Sequence, residues 1–253
     1  HGGRRYRLID TAGIRRKRSI SLQVEKYAVV SALKALDRCD VALFLVDAAE
    51  GLTEQDLKIA AFAEEKGKGI VIVVNKWDLA RAHELDAKKV EQDIRDRMQH
   101  LSYAPVRFAS ALTGRKVFDL LDVATRVAEE CFTRVPTSRL NRLITDAQNA
   151  HAPPVHKGRR VKLFFGTQVT VAPPTFVIAT NDPAGVHFSY RRYLNNRLRE
   201  VFGFEGSPLR VIYRQRGDAE GREKNLEARK RAKTIAKRRN TPKRKPRQKK
   251  IDA

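Results

Sequence analysis

Three short segments hold residue types whose spacing could do chemistry: Asp10-Thr11-Ala12-Gly13, Asn75-Lys76-Trp77-Asp78 and Ser110-Ala111. Asp78 is the most informative single residue. A carboxylate in such a loop can accept two parallel hydrogen bonds, from N1–H and the 2-amino group of guanine, and adenine offers neither donor there. Charge-assisted bonds of this kind are worth roughly 1.5–3 kcal/mol each, and leaving the carboxylate unpaired discriminates against the wrong base. In this reading Asn75 ties adjacent loops together and Lys76 lays its aliphatic stem over the ring face. Ser110 and Ala111 offer backbone N–H groups, with the Ala111 N–H aimed at guanine O6. Asp10 and Gly13, with Thr11 and Ala12 between them, suit the other end of a nucleoside triphosphate. A carboxylate there can hold Mg²⁺ through water, and a glycine lets its N–H approach a γ-phosphate without a Cβ in the way. Losing that contact on hydrolysis would release the loop that follows.

Asp10–Gly13 alone is an ordinary strand-to-turn sequence, Asn75–Asp78 alone a moderate signal and Ser110-Ala111 alone none; their order and placement carry the reading. Arg7–Ile9 leads into the first, Ile70–Val74 into the second and Val106–Ala109 into the third. Loops at the carboxyl ends of parallel strands are where open α/β sheets bind ligands. Up to Val135 the pattern alternates strand and helix. Strands are predicted at Arg4–Ile9, Val41–Val46, Ile70–Val74 and Val106–Ala109, and helices at Ile20–Leu36, Glu54–Glu65, Asp86–Leu101 and Lys116–Phe132. Continuous Val/Ile/Leu runs between helices indicate a parallel sheet covered on both faces. After a boundary at Pro136-Thr137-Ser138, with Ser138 as the expected N-cap, the order becomes α-β-β-α-β. The helices are expected at Arg139–Ala150 and Tyr190–Phe202, and the strands at Val161–Val169, Thr175–Thr180 and Leu209–Tyr213. From Gly217 onward the chain is polar and basic and reads as a disordered tail, in which Arg222–Arg239 has helix-forming composition and Thr241–Pro246 is expected to be disordered in isolation.

The formal charge of +23 over 253 residues is unevenly spread. Residues 1–135 hold 24 basic and 20 acidic side chains, residues 136–216 hold 13 and 4, and residues 217–253 hold 15 and 5. The excess therefore lies in the C-terminal half, the footprint of a nucleic-acid binder. Two cysteines, Cys39 and Cys131, offer neither a metal-ligand spacing nor a disulfide framework and read as reduced core thiols. No apolar run approaches the ~18–20 residues of a membrane span. The only methionine is Met98, so the chain reads as beginning inside something longer.

The chain resembles the Der (EngA) GTPases, bacterial ribosome-assembly factors with two tandem G domains and a C-terminal KH-like domain. The resemblance rests on Asp10–Arg16, Asp47–Asp56, Val73–Asp78, Gly158–Leu163, Tyr190–Leu194 and Gly206–Arg210. It implies an α/β fold: a partial P-loop-type G domain (residues 1–135, the second of the pair), a small α+β KH-like domain (136–216) and a basic tail (217–253). It further implies GTP/GDP and Mg²⁺ as cofactors and GTP hydrolysis coupled to maturation of the large ribosomal subunit in the cytoplasm. The implied partners are a large-subunit precursor and its rRNA, and the missing N-terminal G domain of the same polypeptide; the protein would act as a monomer.

The sequence departs from a full catalytic set. No Gly-x-x-x-x-Gly-Lys-Ser/Thr loop is present, so the backbone cradle for the β- and γ-phosphates is missing, as is a switch threonine for Mg²⁺. Loss of the mid-sheet strand that precedes such a loop should leave two sheet edges unpaired. The 253 residues alone are accordingly expected to bind GTP very weakly and to fold poorly in the first domain. Ile14 stands where many small GTPases place a water-orienting glutamine, so no catalytic residue is assigned; Arg15 and Arg16 read as solvated or as domain or RNA contacts. A non-hydrolysing RNA-binding adaptor on a degenerate G domain is the alternative function. An Era-type arrangement is disfavoured, because Gly203-Phe204-Glu205-Gly206 joins a helix to a strand, contains an acidic residue and reads as a structural turn. RNA contacts are expected instead from Arg159, Arg160, Lys162, Arg191, Arg192, Arg197 and Arg199, some of which would face the missing G domain, and from the tail. His151 and His156 read as solvated loop residues rather than metal ligands, and Tyr190 and Tyr193 as packing residues.

Overall fold

A computed structural model describes residues 1–10 and 33–217. The first unit is built on a parallel sheet of β1 (Val41–Asp47), β2 (Gly69–Asn75) and β3 (Val106–Phe108), in that spatial order. Helix α1 (Glu54–Glu65) connects β1 to β2, α2 (Ala87–Arg97) connects β2 to β3, and α3 (Asp119–Cys131) follows. Strand β2 explains why the run Ile70–Val74 is apolar throughout. Ile70, Ile72 and Val74 face the layer containing Ala60, Ile94, Met98 and Leu101, while Val71 and Val73 face Val123 and Val127 of α3. With helices on both faces, neither side of the pleat can be polar, and each buried Val or Ile contributes about 1.5–3 kcal/mol.

Helix starts follow local capping chemistry. Thr53 Oγ1 accepts the Asp56 N–H at 3.2 Å, and the Asp56 carboxylate accepts the Thr53 N–H at 2.9 Å, a reciprocal capping box. Asp86 caps α2 by accepting the Lys88 and Lys89 N–H groups. The structure trims the expected helices to Ala87–Arg97, followed by a 3₁₀ turn at Gln99–Leu101, and to Asp119–Cys131.

The predicted strand at Arg4–Ile9 is not a strand. Its residues join no ladder, and they lie instead along one stripe of α3. His1 pairs with Asp122 at 3.1 Å, Arg4 with Glu129 at 2.7 Å, and Tyr6 Oη with Thr125 Oγ1 at 2.8 Å. A strand needs a neighbour to satisfy its backbone, and among the described residues none lies between this segment and β1. The far edge of β1 is accordingly loose: Leu45 is 54% exposed and Val41–Phe44 are only half-buried. Most of the predicted helix at Ile20–Leu36 lies outside the described residues; the part within them shows a helical turn over residues 33–38.

The second unit has a three-stranded sheet, β6 (Leu163–Val171), β7 (Pro174–Thr180) and β8 (Arg210–Gln215), with β6 antiparallel and β8 parallel to central β7. Helices α4 (Thr137–Ala150) and α5 (Phe188–Phe202) cover one face around Leu140, Ile144, Phe176, Ile178, Leu194 and Leu198. Helix α4 begins one residue before the expected cap, with Pro136 rather than Ser138 in the N-cap position. A short hairpin missed in the sequence, β4 (Val155–His156) and β5 (Arg159–Arg160), precedes the sheet. Tyr190 is buried in this core and Tyr193 packs against it, as expected.

The units meet along a close joint. Gly206 O accepts the Ile70 N–H at 2.8 Å and Gly206 N–H donates to Tyr103 O at 2.8 Å, so this loop meets the amino end of β2. Glu130 of α3 accepts the Phe204 N–H at 2.6 Å, and fully buried Phe204 stacks edge-on against Phe176. Arg199 packs 4.1 Å from the Tyr103 ring and donates to Phe204 O at 2.6 Å. Gln168 accepts the Val135 N–H and donates to Thr133 O, which fixes the connecting segment. The Gly203–Gly206 loop is thus a structural turn, with Phe204 and Gly206 turned into the joint and Gly203 and Glu205 exposed. Arg199, expected among the RNA contacts, is a joint residue instead.

Candidate guanine-nucleotide site

Parallel strands β1, β2 and β3 all end at the same edge of the sheet, which brings three loops together. Ala48 N–H donates to Asn75 O at 2.9 Å, Ala109 N–H to Val74 O at 3.0 Å, and Trp77 N–H to Ala109 O at 3.1 Å. Trp77 also packs on Phe108, with ring centroids 4.4 Å apart, which anchors the turn containing Asp78. Lys76 sits at φ 60, in the left-handed region, and caps the 3₁₀ turn Trp77–Leu79. That sharp turn is what swings Asp78 back toward the Ser110 loop.

Two side-chain bonds join the second and third segments. Ser110 is 1% exposed, and its Oγ donates to Asp78 Oδ1 at 2.5 Å while accepting the Thr113 N–H at 3.2 Å. Asn75 Oδ1 accepts the Ala111 N–H at 3.0 Å. Asp78 itself is exposed, so a carboxylate oriented by a buried hydroxyl is presented to solvent. Asn75 does tie adjacent loops, as the sequence predicts. The Ala111 N–H, expected to aim at a base oxygen, here donates to Asn75.

Asp47, which opens the segment Asp47–Asp56 that carries part of the family resemblance, is not among the expected site residues. It is buried at the end of β1 and accepts the Ala49 and Glu50 N–H groups at 2.9 and 3.3 Å. Its Oδ2 lies 2.7 Å from Lys76 Nζ. Burial works against the charged form of Asp47, but the Lys76 ammonium and the two backbone donors outweigh it and hold the carboxyl below its usual range. Lys76 therefore spans from the β2 loop to the β1 loop with its ammonium on Asp47. The available signal was an acidic residue closing an apolar strand, beside two other strands that end in polar loops.

Asp10 is exposed at the end of the segment that lies on α3, and Thr11, Ala12 and Gly13 lie outside the described residues. Among the described residues no cluster of His, Cys, Asp or Glu could hold a metal ion. His156, expected to be solvated, pairs with Asp182 at 2.6 Å, and His151 meets the Tyr193 ring edge-on. Cys39 and Cys131 are free thiols, and the buried Cys131 is shifted upward by desolvation.

A parallel sheet with this loop cluster, followed by a small α+β unit, defines a class, and comparison with known proteins gives the same one. Residues 3–130 match the model of the elongation factor Tu GTP-binding domain, and residues 134–214 match that of the KH-domain-like C-terminal region of EngA bacterial GTPases. The chain belongs to the Der (EngA) family. It is 52% identical over 218 residues to GTPase Der of Desulfitobacterium hafniense, covering 86% of this chain and 49% of that protein. Against GTPase Der of Moorella thermoacetica the identity is 50% over 214 residues, covering 85% and 49%. The chain thus spans about half the length of the curated relatives it matches. A solved structure of Aquifex aeolicus Era bound to GDP and AlF₄⁻ is a looser likeness, at 20% identity and TM-score 0.38 over 87% of this chain and 79% of that one.

Proposed function

We propose that this chain is the guanine-reading and RNA-docking part of a GTP-hydrolysing factor in ribosome biogenesis that acts on a large-subunit precursor in the cytoplasm. The observation that carries this reading is the three bonded pairs Ser110–Asp78, Ala111–Asn75 and Lys76–Asp47 at the carboxyl ends of adjacent parallel strands. The donor chemistry fits a guanine base. Asp78 is an exposed acceptor held in place by Ser110, Lys76 is anchored through its ammonium on Asp47, and the Ala111 N–H is a second point of contact if Asn75 shares it. In the family the nucleotide supplies the scissile γ-phosphate and Mg²⁺ its charge neutralisation, with Asp10 as the residue that would hold the metal through water. Thr11, Ala12 and Gly13 would line the phosphate end.

The described residues do four things in this scheme. Asp78 selects the base, Ser110 orients Asp78, Asn75 couples the two loops, and Asp47 fixes the Lys76 ammonium. A basic KH-like unit joined closely to the G-domain sheet supports a role in docking on rRNA. Base selection is tested by Asp78→Asn, which replaces an acceptor oxygen with an amide donor suited to the C2 carbonyl of xanthine. Nucleotide preference should then move from GDP toward XDP, and an unchanged preference would remove Asp78 from its assigned role.

A further inference from the structure

Of the cations the sequence offers for RNA, several are already engaged. Arg199 is in the joint, Arg191 lies over Tyr213 and donates to Val186 O and Pro183 O, and Arg197 pairs with Glu200. The hairpin that the sequence concealed is different. Lys157, Arg159, Arg160 and Lys162 are all exposed within six residues, around a tight turn with Lys157 at φ 47 and Gly158 at φ 74. Two strands of two residues would not hold their shape alone. Here they are fastened to the body of the unit. His156 Nδ1 bonds Asp182 Oδ2 at 2.6 Å, Asn181 Nδ2 donates to Arg160 O at 2.9 Å, and Asn181 Oδ1 accepts the Lys162 N–H at 2.7 Å. Asp182 is in turn held by the Gly185 N–H at 3.0 Å.

Next along the chain stand Phe164 and Phe165, 38% and 55% exposed on edge strand β6, the first with the Arg216 guanidinium 4.7 Å from its ring. Clustered cations beside exposed aromatic rings are the combination that suits nucleic acid, where phosphates take the charge and unpaired bases can stack. The loop that matches a Gly-x-x-Gly grip by its letters has Phe204 and Gly206 buried and its backbone bonded into the joint, and the side chain it leaves exposed, Glu205, is acidic and repels phosphate.

We propose that the β4–β5 hairpin is a preformed cationic prong that seats on the phosphate backbone of RNA, with Phe164 and Phe165 as the adjoining stacking surface. This rests on the reading that the protein docks on rRNA. Pre-organisation is its distinguishing feature: the prong is held in shape by Asn181 and Asp182 before RNA arrives, so little ordering is needed on binding.

The test measures binding of a fluorescein-labelled RNA stem–loop to the full chain by anisotropy, from 50 to 200 mM salt. Each phosphate contact contributes about 0.9 to the slope of log affinity against log salt. Removing three contacts with Lys157→Ala, Arg159→Ala and Arg160→Ala together should lower the slope by about 2.7, so the variant loses about 40-fold less affinity than wild type across that range. A control with Arg81→Ala, Lys88→Ala and Lys89→Ala, exposed on the other unit, changes net charge equally and should leave the slope near wild type. Asp182→Ala adds positive charge yet should weaken binding several-fold by loosening the prong, and Asn181→Ala should do the same with no change in charge. Equal losses in the prong and control triples would overturn the proposal, as would tighter binding by Asp182→Ala. It would also be overturned if the prong triple lost binding to anionic phosphatidylglycerol vesicles but kept wild-type RNA affinity. No RNA binding by the wild type at 50 mM salt would sink the rRNA reading as well, whereas binding indifferent to the prong sinks only the prong.

Discussion

Gly206 stands where the two halves of the chain meet, and Gly206→Ala measures how tightly that joint is packed. The residue has φ +69, a conformation that costs a non-glycine residue about 1–2 kcal/mol. An added Cβ would lie 2.5 and 2.8 Å from the two methyl carbons of Val127 and 3.0 Å from Ile70 O. Val127 is 1% exposed inside the sheet–helix layer, and Ile70 O belongs to the backbone of the central strand, so neither can yield easily. Overpacking of this kind costs about 1–3 kcal/mol. Together the terms give roughly 2–5 kcal/mol, or about 5–15 °C in melting temperature for a protein of this size. Gly114→Ala is the matched control, because Gly114 has φ +74 with nothing within 4 Å of the added carbon and should show only the conformational cost. Calorimetry of both variants separates the two contributions. If Gly206→Ala melts no lower than Gly114→Ala, the joint is not close-packed and the account of how the units are held together is wrong.

Two further outcomes are expected. Ser110→Ala removes the hydroxyl that donates to Asp78 and accepts the Thr113 N–H, and should cost about 1–3 kcal/mol in urea unfolding; GDP affinity should fall while the preference for GDP over XDP survives. Asp47 is held below its usual carboxyl range, so the folded state favours its charged form; its contribution is complete above about pH 4 and is lost as pH falls through the folded value. The stability gap between wild type and Asp47→Asn should therefore narrow on acidification below about pH 4, and a gap constant from pH 6 downward would contradict the Lys76–Asp47 pairing.

The parts of the fold legible in the sequence were those fixed by local chemistry. The apolar runs at Val41–Val46 and Ile70–Val74 have no polar face and form strands, the second fully buried and the first half-buried along the edge of the sheet, and the loops after β2 and β3 carried their candidate site residues in plain view. Arg4–Ile9 shows the limit. Its composition suits a strand, but a strand is defined by a partner, and the segment instead follows the stripe Asp122, Thr125 and Glu129 of α3. The bond from Ser110 to Asp78 joins two residues both singled out, yet the contact depends on the turn at Lys76 and could not be seen from spacing. Asp47 was passed over because one carboxylate after a strand has no sequence partner; Lys76 becomes its partner only when β1 and β2 pair. The β4–β5 hairpin was hidden because Lys157-Gly158 is not among the dipeptides that announce such a turn. Joint contacts such as Gly206 with Tyr103 link residues far apart in sequence, where no periodicity reports them.

The central claim is that Asp78, held by Ser110, reads guanine. Its most direct measurement is competition of GDP and XDP for wild type and for Asp78→Asn, followed through the amide resonances of Asn75, Ala111 and Thr113 at up to millimolar nucleotide. Wild type should bind GDP in preference to XDP, and the variant should lose GDP affinity by about 10²–10⁴-fold, the worth of two charge-assisted bonds, while XDP becomes the better ligand. Equal GDP affinity in wild type and variant, or amide shifts confined to residues away from these loops, would contradict the assignment.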